Sequence, residues 1–112
     1  SCFDKNIQLL ETLWKDFVAE PQPVHGYIGQ NLACEGHSAL SELEKIRAET
    51  LIIVGRQDGQ TPVGAAKELA SNIPNAKLET ISGYGHGLVW ENYSAFNDIL
   101  LRFLTGAELD PL

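Results

Sequence analysis

Two residues of this 112-residue chain belong to the types that exchange protons and stand in matching settings: Asp58 in "GRQDGQTP" and His86 in "SGYGHG". Each follows a run that reads as a β-strand, and each is set among glycines, which permit tight turns that substituted residues resist. A carboxylate that accepts a hydrogen bond from one imidazole nitrogen fixes the ring tautomer and stabilises the imidazolium. The other ring nitrogen is then free to take up a proton. With a reference pKa of about 6.5, imidazole accepts and returns that proton close to neutral pH. Taken singly, each residue has a plainer local reading. Asp in a glycine-containing loop ahead of a helix is commonly a turn or capping residue, and His between glycines is commonly only exposed. The pair carries more than either member, provided the elements between them bring the two loops together.

Those elements can be read from periodicity. Leu51, Ile52, Ile53 and Val54 form a strand that is apolar on both faces, as a parallel strand covered by helices reads. Thr61-Pro62 offers an N-cap hydroxyl followed by the residue best tolerated in a first helical turn. A helix over about 62–73 is expected to bury Ala65, Ala66, Leu69, Ala70 and Ile73 and to stop before Pro74. "KLETIS", 77–82, reads as a second strand. After "GYGHG", a last helix starts near Asn92 or Tyr93, buries Phe96, Ile99, Leu100, Phe103 and Leu104, and stops at Gly106. Strand, helix, strand with short connections is a right-handed crossover, so the strands run parallel. Asp58 and His86 then both lie past C-terminal strand ends, where open α/β sheets place their sites.

Upstream, Ile7, Leu10, Leu13, Trp14, Phe17 and Val18 recur at helical spacing over 5–18, with Asp4 placed to cap the start and Pro21 and Pro23 beyond the end. In "QPVHGYIGQNLACEG", Tyr27, Ile28, Leu32 and Ala33 suggest a short helix that Gly26 and Gly29 weaken. Ser38 can cap "ALSELEKI", whose Leu40, Leu43 and Ile46 share one face. The reading divides the chain into a helical segment, 1–45, and an α/β segment, 46–112.

Composition narrows the function classes. With 44% hydrophobic and 21% charged residues the chain has the balance of a globular domain. A formal net charge of -7 repels a phosphate backbone, so nucleic acid is excluded as a partner. Apolar runs are far short of the roughly 20 residues a spanning helix needs, so no membrane role is expected. "SCFDKNIQLLETLWKDF" lacks the basic patch and apolar stretch of a secretory signal, and Cys2 and Cys34 are too few for a disulfide framework or a zinc site. A cytoplasmic location with reduced cysteines is the expectation.

The stretch "AETLIIVGRQDGQTPVGAAKELASNIPNAKLETISGYGHGLVWENYSAFNDILLRFL" resembles the C-terminal portion of α/β-hydrolases. In that family a strand ending in a G-x-x-D-type loop delivers the acid of a catalytic triad, and the next strand, ending in a G-H loop, delivers the histidine. The resemblance implies that Asp58 is the acid and His86 the histidine. It also implies a partial α/β-hydrolase fold, with two parallel strands at about 51–55 and 77–82, flanking helices and the remnant of a helical cap. The chain departs from the family where proline is frequent, at Ala48 or Glu49 and again at Tyr93.

The family's nucleophile stands in a G-x-S-x-G turn between strand and helix, upstream of the acid. The nearest match is "GHSAL", residues 36–40, in which Leu40 replaces the last glycine and no apolar strand leads in. Ser38 reads better as a helix cap. Ser82, Ser94 and Cys34 lack an elbow, and His25 and His37 lack a matching carboxylate loop. The nucleophile is therefore expected from an N-terminal half outside these residues. Such a molecule is an esterase-, lipase- or lactonase-like hydrolase of a small ester-like substrate, and the chain alone is expected to be inactive. Two alternatives stay open: a non-catalytic hydrolase-like binding module, and an enzyme with an Asp nucleophile, such as a dehalogenase or epoxide hydrolase. No metal or organic cofactor is implied. The outer edge of the strand at 51–54 is expected to pair with the remaining polypeptide or with a second copy. Leu88, Val89 and Trp90, just past His86, can line a pocket or pack the core.

Overall fold

The computed structural model describes residues 7–106, so the expected cap at Asp4 lies outside the described residues. The chain forms two compact units, divided between Ala39 and Leu40. The first holds two helices, α1 (Ile7–Ala19) and α2 (Val24–Cys34). Pro21 and Pro23 separate them, as proline after a helix end does. Gly26 and Gly29 do not break α2, which continues for 11 residues. No residue of α1 or α2 is buried, and Ile7, Leu10, Trp14, Phe17, Tyr27 and Leu32 are all exposed.

The second unit opens with a 3₁₀ helix, Leu40–Lys45, in place of the α-helix that the spacing of Leu40, Leu43 and Ile46 suggests. A 3₁₀ helix stacks residues three apart, yet of the three only Leu43 is buried: Leu40 is exposed at the start of the helix and Ile46, half-buried, lies just past its end. β1 (Thr50–Gly55), α3 (Val63–Asn72) and β2 (Ala76–Ile81) follow, then the single-turn α4 (Leu88–Glu91) and α5 (Tyr93–Thr105). The strands pair in parallel, in register from Thr50 opposite Ala76 to Gly55 opposite Ile81. This is the crossover read from the sequence, with each strand one residue or so from its expected bounds.

The core explains why the sheet forms. Ile81, Leu88 and Ile99 are buried together, and Leu51, Ile53, Tyr84 and Ala95 pack against them, so β1, β2, α4 and α5 share one apolar cluster. Side chains alternate along a strand, which leaves Ile52 and Val54 for the opposite face. α3 lies against both strands, with Ala66 and Ile73 buried. Ala65 and Leu69 are exposed, contrary to the expectation, because a helix packed on a two-stranded sheet covers only a narrow stripe. Leu104, also expected inside, is exposed near the end of α5. Asn92 caps α5, its Oδ1 accepting from the Ala95 amide at 3.3 Å, and Gly106 ends it at a φ of 70°, left-handed as expected.

Candidate active site

Both candidate residues lie beyond the strand ends. The Asp58 amide donates to Gly55 O at 3.1 Å, closing a turn directly after β1. β2 ends at Ile81, and a turn through Gly83 leads to His86 just ahead of α4. Parallel pairing puts these two loops side by side, and their side chains meet: His86 Nδ1 lies 3.0 Å from Asp58 Oδ2.

Asp58 is a hub of hydrogen bonds. Its Oδ1 accepts from the Gln60 amide at 2.8 Å and from the Thr61 amide at 2.9 Å, while Oδ2 accepts from the Thr61 hydroxyl at 2.8 Å as well as from His86. Burial pushes the carboxyl up. Bonds from the Thr61 amide, the Thr61 hydroxyl, His86 and the Gln60 amide outweigh that and hold it well below the usual carboxylate range. The carboxylate is thus ionised at neutral pH and can only accept, so Nδ1 must carry the proton facing it. In the neutral form of the ring, the other nitrogen, Nε2, is then the one with a lone pair. The two side chains differ sharply in access, with 6% of Asp58 exposed against 51% of His86. A shielded anion therefore orients an imidazole that molecules outside can reach.

Thr61 has a role the sequence reading did not give it. The expected N-cap of α3 is instead Pro62, with no side-chain cap bond, and the Thr61 hydroxyl serves Asp58 and stands 3.3 Å from His86 Nδ1. The spacing Asp58 to Thr61 carries a usable signal, since an Asp side chain commonly bonds backbone amides two and three residues on.

Other candidates stand elsewhere. Ser38 is exposed and follows α2 and a turn, so the strand that an elbow requires does not precede it. His25 and His37 are exposed in the helical unit, as is Cys34 with its free thiol. Leu88 is buried in the core cluster, whereas Val89 and Trp90 are exposed. Among the described residues no three or more His, Cys, Asp or Glu side chains gather where they could hold a metal ion.

Residues 27–111 match the α/β-hydrolase family model described as "TAP-like protein". The chain belongs to the α/β-hydrolase family. It is 30% identical over 107 residues to a 2-hydroxy-6-oxo-6-phenylhexa-2,4-dienoate hydrolase of Burkholderia cepacia, an alignment covering 91% of this chain and 37% of that protein. Over 64 residues it is 41% identical to a 2-hydroxy-6-oxononadienedioate/2-hydroxy-6-oxononatrienedioate hydrolase of Pseudomonas putida, covering 57% of this chain and 22% of the relative. Among solved structures it is similar to MGS-M2, an α/β-hydrolase enzyme from a Medee basin deep-sea metagenome library. That match has a TM-score of 0.64 and 32% identity, over 70% of this chain and 28% of the other. The chain thus spans well under half the length of these hydrolases, and its two parallel strands with flanking helices form part of the family fold.

Proposed function

We propose that Asp58 and His86 are the acid and the histidine of a nucleophile–histidine–acid triad in a hydrolase acting on a small carbonyl compound. The observation that carries this reading is the 3.0 Å contact from the shielded Asp58 carboxylate to Nδ1 of an exposed imidazole. His86 Nε2 takes the proton of a nucleophile as that group attacks the substrate carbonyl carbon, and the buried carboxylate stabilises the imidazolium that results. The bond from that carbon to the leaving group, C–O in an ester or C–C in a 2-hydroxy-6-oxo dienoic acid, then breaks as the departing atom takes the proton from Nε2, and water repeats the sequence at the acylated nucleophile to release the carboxylic acid. The nucleophile comes from polypeptide outside these 112 residues, since Ser38 lacks the strand that would form an elbow. Relatives named for 2-hydroxy-6-oxo dienoic acids support a substrate whose reactive carbon is a ketone carbonyl flanked by a conjugated acid, and ester-like compounds share the same electrophilic centre.

The test is made on the full-length protein that carries this chain, with 2-hydroxy-6-oxo-6-phenylhexa-2,4-dienoate and p-nitrophenyl butyrate as probes. His86→Ala is expected to lower turnover about 10²- to 10⁴-fold, the range for losing a positioned proton-transfer group. Its thermal unfolding should be nearly unchanged, because half of the side chain is already in solvent. Covalent labelling by a serine-directed phosphonate should accompany activity. Undiminished turnover in His86→Ala would remove the assignment.

A further inference from the structure

We infer that Gln57 is a positioning residue: it straps the loop carrying Asp58 to the loop carrying His86 and so sets the separation between them. This rests on the reading of Asp58 and His86 given above, and it assigns work to a residue whose hydrogen bonds reach neither of those side chains.

The regular pairing of β1 with β2 ends at Gly55 and Ile81, short of both candidate residues. Contact between the two chain segments nevertheless continues. The Arg56 amide donates to Ile81 O at 2.9 Å, and the Gln57 amide donates to Tyr84 O at 3.0 Å. The Gln57 side chain then turns to the same segment, its Oε1 accepting from the Gly83 amide at 2.8 Å. Gln57 immediately precedes the acid, while Gly83 and Tyr84 lie just ahead of the histidine. The covalent route between the two loops runs through the whole of α3 and β2. The route through Gln57 is a single residue bonded twice.

Gly83 is where such a hold is needed. Its φ of 87° lies in the left-handed region, so the chain reverses sharply there before reaching His86. The amide of that turn lies beyond the strand ladder, and Gln57 supplies its acceptor. Gln57 is exposed, so packing does not account for it. Hydrogen bonding weakens steeply with distance and angle, and a donor drawn back to about 3.6 Å no longer makes the bond. A shift of the Gly83 turn by well under 1 Å would therefore uncouple the imidazole from the carboxylate.

The experiment uses protein labelled with ¹⁵N-histidine and reads the His86 Nδ1–H proton, which the Asp58 carboxylate should shift far downfield and protect from exchange with water. Gln57→Met keeps the length of the side chain and removes the acceptor, whereas Gln57→Glu restores an acceptor at the same reach. The expected result is Nδ1–H exchange about five- to tenfold faster in Gln57→Met, with backbone amide signals outside the two loops unmoved. In Gln57→Glu the exchange should return close to that of the unsubstituted protein. Unchanged exchange in Gln57→Met, or no recovery in Gln57→Glu, would overturn the strap while leaving the Asp58–His86 pair intact. A missing downfield proton in the unsubstituted protein, or one that survives Asp58→Asn, would instead overturn the pair, and the strap with it.

Discussion

Asp58 answers two demands at once, and its oxygens divide them. Oδ1 takes the Gln60 and Thr61 amides, the local bonds by which any Asp can hold a turn ahead of a helix. Oδ2 takes the Thr61 hydroxyl and His86, and only the second of these comes from a distant part of the chain. The bonds of a turn residue and the contact that the proposed acid role needs are therefore made by the same side chain. A prediction follows for Thr61→Val, which keeps the amide bond but removes the hydroxyl donor. The Asp58 carboxyl should rise toward the ordinary value of about 3.9, as read from its ¹³C chemical shift during an acid titration. Because the folded-state value is depressed, the stability Asp58 contributes is fully present above the unfolded value and is lost as the pH falls through the folded one. Thr61→Val should shift that acid limb of the stability curve to higher pH. An unmoved limb would mean that the hydroxyl does not support the carboxylate.

At the scale of elements, the approach of the two loops depends on what Gly55 lacks. A Cβ placed on Gly55 would stand 2.6 Å from Gly85 O and closer still to Tyr84 O, so the backbone of the His86 loop crosses directly over this residue. Gly59 has no atom within 4 Å of the same imagined carbon. Gly55→Ala is expected to cost about 1–3 kcal/mol by overpacking and to push His86 away from Asp58, whereas Gly59→Ala should change stability by less than about 0.5 kcal/mol. Denaturant unfolding of the two variants checks the contrast, and equal midpoints would show that the loops do not lie so close. Both glycines look alike in "VGRQDGQ"; the pairing of β1 with β2 is what separates their roles. Gln57 was hidden for the same reason, since its partner Gly83 becomes a neighbour only once the strands are aligned.

At the scale of the whole molecule, β1 is apolar on both faces yet pairs on one side only among the described residues. Parallel sheets normally bury such strands between neighbours, and an open edge is a template for another strand. Exposed Leu10, Trp14, Phe17, Tyr27 and Leu32 in the helical unit add apolar surface that no described residue buries. The 112-residue chain expressed by itself is accordingly expected to elute from size-exclusion chromatography above its monomer mass. Co-expression with the polypeptide proposed to supply the nucleophile should shift it to a defined complex. A compact monomer with a single cooperative unfolding transition would speak against this.

What the sequence determined by itself was local and periodic. The apolar run at 51–54, the break before Pro74, Asn92 ahead of the last helix and Gly106 behind it each act within a few residues, so the order of elements and the parallel crossover could be read directly. The resemblance to α/β-hydrolases rested on the same stretches and pointed to Asp58 and His86 by their places after two strands. Tertiary structure decided the rest: that Thr61 serves the carboxylate and not the helix start, that Gln57 holds the facing turn, that a short helix follows His86, and that Leu69 and Leu104 stay in solvent. Each of these depends on atoms brought together from separate stretches of chain or on how much surface the neighbouring elements cover. Spacing along one strand or one helix carries no record of either.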